Sequence, residues 1–295
     1  MKPKTYDFAV IGGDLRQVYM AEDLSSRGFS VLLYGLENLC SKAYIEHAKS
    51  LPQAIDSSKV ILTPIPFTKN GIQILSVDAK SDLTPEILCT HLKKGHKLYG
   101  GCFTESIRDF CETNGIYYND FMEDEEITLF NTIATAEGTI AEAVINSGGN
   151  LHGSSCLILG YGRCAKTLAE KLKGLCGQLT VAARSPLAIA QAKTSSFDAM
   201  SLSELTETIS EYDYIFNTIP ALVLDRELLE NTKQDVVIID IASAPGGVDF
   251  IAARELSRNA KLCLGLPGKY APKASAAFLT RYLLSSLGEQ QTCPV

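Results

Sequence analysis

The chain has 295 residues, of which 46% are hydrophobic and 21% charged, and a net charge of −7. That balance excludes wholesale disorder, the length suits two domains, and the acidic excess excludes a broad nucleic-acid surface, which needs clustered Lys and Arg. Nine cysteines, an odd number with no Cys-x-x-Cys pair, point to reduced thiols, so neither a disulfide frame nor a structural metal is expected. The first residues carry no signal-peptide apolar stretch, and no apolar run approaches the roughly 18 residues of a membrane span. A soluble, cytoplasmic protein with no membrane partner is the expectation.

In chain order, strand and helix signals alternate. An apolar run over 6–11 ends in Gly12-Gly13-Asp14, and an amphipathic stretch over 15–26 stops at Gly28. Strands are predicted over 29–34, 60–63 and 72–76. A helix over 84–94 stops at Gly95 and leads into a strand over 97–99. A helix over 105–113, with Gly115 just beyond it, leads into a strand over 116–119. The acidic run Glu123-Asp124-Glu125-Glu126 reads either as the exit from a first domain or as a helix start. A helix over 131–146 follows and ends at Gly148-Gly149.

The pattern then restarts. Strands are predicted over 155–159, 178–183, 214–217, 236–241 and 261–264, and helices over 163–173, 186–194, 202–209, 226–229, 248–256 and 273–287. Strands alternating with helices pair in parallel, so the fold class is α/β with two doubly wound parallel-sheet domains.

The sharpest motif is Gly160-Tyr161-Gly162-Arg163-Cys164-Ala165, placed after an apolar strand and opening a helix. In a GxGxxA turn the first glycine permits the bend and the second lets the backbone approach a pyrophosphate. The alanine lets the helix lie close to the strand, and the helix N-terminus holds the anion. The alternative is a tight turn with no ligand. A dinucleotide's ribose is normally held by Asp or Glu at the end of the next strand. Here that strand ends Ala183-Arg184-Ser185. Arg184 suits a 2′-phosphate, with Ser185 as a second donor, so NADP is expected over NAD. Asn217-Thr218-Ile219-Pro220 and Asp240 fall at the ends of later strands, where open α/β sheets bind ligands. Pro267, Lys269 and Lys273 lie in a Pro/Gly loop ahead of the tail helix.

The first half has Gly12-Gly13-Asp14-Leu15-Arg16-Gln17, which is no dinucleotide motif. Asp14 suits a helix N-cap, and Arg16, one turn in, is a candidate for a substrate carboxylate. The four histidines, His47, His91, His96 and His152, all precede the glycine turn. A dehydrogenase with a late-chain His acid/base cannot be built from them.

Taken in order, these segments, with Thr135-Ala136-Glu137-Gly138, Asp240-Ile241-Ala242-Ser243 and Leu266-Pro267-Gly268-Lys269, resemble the A-type subunits of dipicolinate synthase over nearly the whole chain. The resemblance implies an N-terminal flavodoxin/Rossmann-like domain, residues 1–127, completed by a C-terminal helix over 273–295. It implies an NADP-binding Rossmann domain over 128–272 that includes a hinge helix over 131–147, and a cleft between the domains. It implies oxidation of dihydrodipicolinate to dipicolinate by hydride transfer to NADP in the mother cell of a sporulating bacterium. The implied partners are the flavoprotein-like B-type subunit of dipicolinate synthase and further copies of the chain in a homo-oligomer. On that layout Asp14, Arg16, Thr135 and Lys269 are expected at the substrate and Glu137 and Lys269 at the chemistry. Gly160, Tyr161, Gly162, Arg163, Cys164, Ala183, Arg184, Ser185, Asn217, Thr218, Ile219, Pro220, Asp240 and Pro267 are expected at the cofactor. Two other readings stay open: a shikimate- or hydroxyacid-type dehydrogenase, and a non-catalytic NADP-binding regulatory protein.

Overall fold

The computed structural model describes residues 4–40, 42–78 and 80–288. Contacts divide the chain into two compact units. One comprises residues up to Thr128 together with those from Ala271 on; the other is Leu129–Tyr270.

The first unit contains β1 (Tyr6–Ile11), α1 (Leu15–Ser26), β2 (Val31–Tyr34), β3 (Glu46–His47), α2 (Leu51–Asp56), β4 (Ser58–Leu62), α3 (Pro85–His91), β5 (Lys97–Gly100), α4 (Glu105–Asn114) and β6 (Tyr117–Asp120). Its six strands are all parallel, in the order 3-2-1-4-5-6. Apolar runs such as Ala9–Ile11 are wholly buried because helices cover both faces of a parallel sheet. The resemblance implied a flavodoxin/Rossmann-like sheet, and the two-residue β3 decides between them. Without it the order would be the flavodoxin 2-1-3-4-5; with it the order is that of the Rossmann sheet.

Next comes α5 (Glu125–Ile145), whose first four residues fall in the first unit and the rest in the second. The acidic run is therefore a helix start: Asp124 caps the backbone N–H of Ile127 at 3.0 Å, and Glu125 and Glu126 complement the dipole.

The second unit continues with β7 (Ser155–Leu159), α6 (Arg163–Leu172), β8 (Gln178–Ala183), α7 (Pro186–Thr194), β9 (Asp198–Ser201), α8 (Leu205–Thr208), β10 (Tyr214–Asn217), α9 (Arg226–Glu230), β11 (Val237–Asp240), α10 (Phe250–Glu255), β12 (Asn259–Leu262) and α11 (Leu266–Tyr270). Its sheet is also parallel, in the order 12-11-10-7-8-9, which is the Rossmann order again. The chain then forms α12 (Pro272–Ser286), which packs on α1 and on the first sheet, with Tyr99 Oη 3.1 Å from Ser286 Oγ. Of the tail segment 273–295, residues 289–295 lie outside the described residues.

Several local expectations differ from the structure. Residues 72–76 form no strand; they are a loop bridged at Ile74 to Thr68 and at Ser76 to Gly13. The stretch 202–209 is not one helix but two 3₁₀ turns flanking the single turn of α8. The loop read around Pro267 contains α11, one turn that Pro267 and Gly268 disguised.

Candidate functional site

All strands of a parallel sheet end at one edge, and ligands bind outside those carboxyl ends. In the second unit the edge is built around the β7–α6 turn. Gly160 has φ +96°, and a Cβ there would stand 2.5 Å from Thr218 Oγ1. Its N–H donates to the Ala182 carbonyl at 2.8 Å, and the Thr218 hydroxyl donates to the Leu159 carbonyl, also at 2.8 Å. Gly162 is the N-cap of α6, yet no side chain caps that helix, and a Cβ on Gly162 would meet nothing within 4 Å. Space is therefore open beside Gly162, at the positive end of the α6 dipole. Ala165 is fully buried and lets α6 lie on the sheet. Tyr161 is buried edge-on against Phe197, with Lys166 Nζ 5.4 Å from its ring centre. Burial pushes the Cys164 thiol up, with Arg163 only partly opposing, so this thiol stays neutral. The open cradle fits a pyrophosphate.

β8 ends at buried Ala183, followed by exposed Arg184 and Ser185. No carboxylate stands there. Among the described residues neither the Arg184 guanidinium nor the Ser185 hydroxyl makes a hydrogen bond or ion pair, and Ser185 leaves the N-terminus of α7 uncapped. At the ends of β10 and β11, Asn217 and Asp240 are fully buried and bonded to one another at 2.9 Å. Ile219 and Pro220 follow on the loop, and Pro267 is a half-buried residue of α11.

The first unit has the same sheet order but a closed turn. Gly12 and Gly13 have φ +61° and +106°, and the Gly13 N–H donates to the Leu75 carbonyl at 2.7 Å. A Cβ on Gly12 would lie 2.6 Å from that same oxygen. The loop around Leu75 thus lies across the turn, and α1 is capped internally. Asp14 accepts from the Arg16 N–H at 2.9 Å, and Gln17 Oε1 accepts from the Asp14 N–H at 3.0 Å. A protein carboxylate stands where a phosphate would go. The Arg16 guanidinium, only 6% exposed, donates to Asp14 through Nε at 3.0 Å and Nη2 at 2.8 Å, and through Nη2 to the Ile65 carbonyl. Burial raises the Asp14 carboxyl, but the Arg16 bonds outweigh it and hold the group below the ordinary carboxylate range. Arg16 Nη1 makes no hydrogen bond among the described residues.

Two expected catalytic residues are ion-paired within the second unit. α5 and α6 run side by side, with Thr132 2.7 Å from Thr167 and Glu137 2.9 Å from Lys171. Lys171 lies in the last turn of α6, about 12 Å along the helix from its open N-terminus at 1.5 Å per residue. Glu137 is 55% exposed there and ion-paired, so it sits toward the amino ends of the strands. Lys269 pairs with Glu142, five residues further along α5. Glu142, 2% exposed, accepts from Lys269, from Lys261 at 2.9 Å and from the Tyr270 hydroxyl at 2.9 Å. Burial opposes its ionisation, but these three donors hold its carboxyl at about 2. Lys269 is thus a structural counter-ion within the second unit. Thr135, half-buried on α5, donates to the Asn131 carbonyl at 2.8 Å. Sequence reading passed over Glu142; the only available signal was a carboxylate among Ala141, Ala143 and Val144.

No group of three or more metal-ligating side chains occurs among the described residues, and no helix there is long and apolar enough to cross a membrane. Residues 7–122 match the N-terminal domain of the dipicolinate synthase A-type subunit, and residues 131–248 match the D-isomer specific 2-hydroxyacid dehydrogenase, NAD binding domain. The second unit is thus a pyridine-nucleotide-binding domain of the oxidoreductase type. The chain is 29% identical to the A-type dipicolinate synthase subunit of Bacillus subtilis, over 96% of both chains. Its structure matches the crystal structure of the corresponding dipicolinate synthase subunit from Bacillus halodurans with TM-score 0.83 at 28% identity, over 97% of this chain and 99% of that one. The crystal structure of the Bacillus subtilis counterpart matches with TM-score 0.81 at 26% identity, over 97% of each. The first unit thus carries the N-terminal domain of the dipicolinate synthase A-type subunits, and the chain is similar to those subunits in sequence and fold along nearly its whole length.

Proposed function

We propose that the protein oxidises dihydrodipicolinate to dipicolinate with NADP, acting with a B-type dipicolinate synthase subunit in the mother cell of a sporulating bacterium. The observation that carries the cofactor half is the open, uncapped turn at Gly162, next to a strand that is followed directly by the unpaired Arg184. Gly162 and the N-terminus of α6 hold the pyrophosphate, and Arg184 with Ser185 holds the 2′-phosphate. When bound, the nicotinamide supplies the hydride acceptor. The substrate loses one hydride and one proton and gains an aromatic ring. That gain supplies much of the driving force, so the proton can leave to water without a histidine. Asp14 keeps the Arg16 guanidinium fixed, and its uncommitted Nη1 is the donor assigned to one carboxylate of the substrate. Catalysis is then mainly positioning. The names of the relatives carry the choice of substrate and of the B-type partner.

Calorimetric titration tests the cofactor assignment. The unmutated protein should bind NADP well and NAD poorly. Arg184→Asp should weaken NADP by about 1.5–3 kcal/mol, the range for hydrogen bonds to charged groups, and leave NAD nearly unchanged. Equal affinities for the two in the unmutated protein would remove the 2′-phosphate site.

A further inference from the structure

We propose that Asp240 is a positioning residue that makes the site prefer the oxidised, positively charged nicotinamide over the reduced, neutral one. The inference deepens the dinucleotide reading above and rests on it. In a sheet of this order the β7–β8–β9 half faces the adenosine and the β10–β11–β12 half faces the nicotinamide. Asp240 closes β11 in that second half and is fully buried.

Its oxygens meet only donors. Oδ1 accepts from Asn217 Nδ2 and from the Ala242 N–H, each at 2.9 Å, and Oδ2 accepts from the Gly247 N–H at 2.7 Å. That is the pattern of a carboxylate rather than an acid. All three donors are neutral amides, and among the described residues no lysine, arginine or histidine bridges to the group. A buried charge without a counter-ion is costly, and here only the amide donors offset it.

The surroundings hold this charge still. Asn217 also donates to the Ile219 carbonyl at 3.0 Å and accepts from the Ile219 N–H at 3.1 Å. Gly247 is wedged so closely that a Cβ would lie 2.5 Å from the Ile219 carbonyl and 2.6 Å from that of Ala221. Gly246, at φ +88°, would put a Cβ 2.5 Å from Asp240 Oδ2. The loops after β10 and β11 are thus tied onto one carboxylate at the carboxyl edge. A fixed negative charge there stabilises the cationic ring and loses its partner once hydride transfer makes the ring neutral. It favours capture of the oxidised cofactor and release of the reduced one.

The test is the ratio of dissociation constants for NADPH and NADP⁺, measured by calorimetry on the full chain and on Asp240→Asn. Two unit charges about 10 Å apart at an effective dielectric of about 20 alter an affinity on the order of tenfold. The unmutated protein should bind NADP⁺ at least as tightly as NADPH, and the variant should lower the ratio about tenfold. Asn217→Ser, which disturbs the same loop and keeps the charge, should weaken both forms alike. A loop-building role alone would leave the ratio unchanged in Asp240→Asn, and that result overturns the assignment. If that variant does not fold, the unmutated protein still decides, because tighter binding of NADPH by tenfold overturns it as well. Binding of neither form would instead defeat the dinucleotide reading, and this inference with it.

Discussion

Glu142→Gln gives a direct test of how the second unit is held together. The carboxylate is 2% exposed and joins α5 to β12 and α11 through Lys261, Lys269 and Tyr270. Its carboxyl is held at about 2 against an ordinary 4.5. Unscreened, that gap is worth roughly 3 kcal/mol at about 1.4 kcal/mol per tenfold change in acidity. The two lysine side chains are 43% and 56% exposed, so solvent weakens the pairing, and about 1–2 kcal/mol is the expected contribution. The folded-state value is depressed, so this stability is fully present above the unfolded value of 4.5 and is lost as pH falls toward 2. At neutral pH the variant should melt about 4–8 °C lower, at roughly 4 °C per kcal/mol for a unit of this size. Between about pH 5 and pH 2 the gap should close, because the unmutated protein loses what the variant never had. Thermal melts across that range measure it. A variant as stable as the unmutated protein at neutral pH, or a gap that stays constant down to pH 2, would refute the reasoning.

The two glycines of the turn should fail in different ways. Gly162→Val places its side chain in open space, so the fold should survive while NADP affinity is abolished; full affinity in the folded variant would make the turn merely structural. Gly160→Ala must accommodate φ +96° and a contact at 2.5 Å, so it should lower the melting temperature as well as the affinity, and an unchanged melt would contradict the turn geometry. Glu137→Gln removes only an exposed ion pair, worth under about 1 kcal/mol, and should change kcat/KM less than twofold. A large fall in kcat with an unchanged KM would return Glu137 to the chemistry.

The parallel-sheet architecture was legible because each central strand is a short run of fully buried Val, Ile, Leu or Ala, such as Ile158-Leu159 or Ile238-Ile239. The Gly160–Ala165 turn was legible because its function depends on backbone freedom, which the identities Gly, Gly and Ala encode locally. Elements without periodicity were not legible: β3 is two residues long, and α11 contains both Pro267 and Gly268. The roles of single polar side chains were least legible, because tertiary pairing fixes them. Glu142 meets partners 119, 127 and 128 residues away, and no spacing rule anticipates that. The same holds for Lys269, whose charge suggested a substrate carboxylate but is taken up by Glu142. Asp14 was readable as an N-cap, but not its grip on Arg16, which uses the same carboxylate.

One assay addresses the oxidation itself. Freshly generated dihydrodipicolinate is mixed with the purified chain and NADP, with and without the B-type partner. NADPH is followed by absorbance and dipicolinate by mass spectrometry. Stoichiometric formation of NADPH and dipicolinate, much slower with NAD and abolished by Gly162→Val, is the predicted result. A protein that binds NADP tightly but forms no dipicolinate under either condition, at any dinucleotide concentration, would contradict the account and leave a dinucleotide-binding protein without this chemistry.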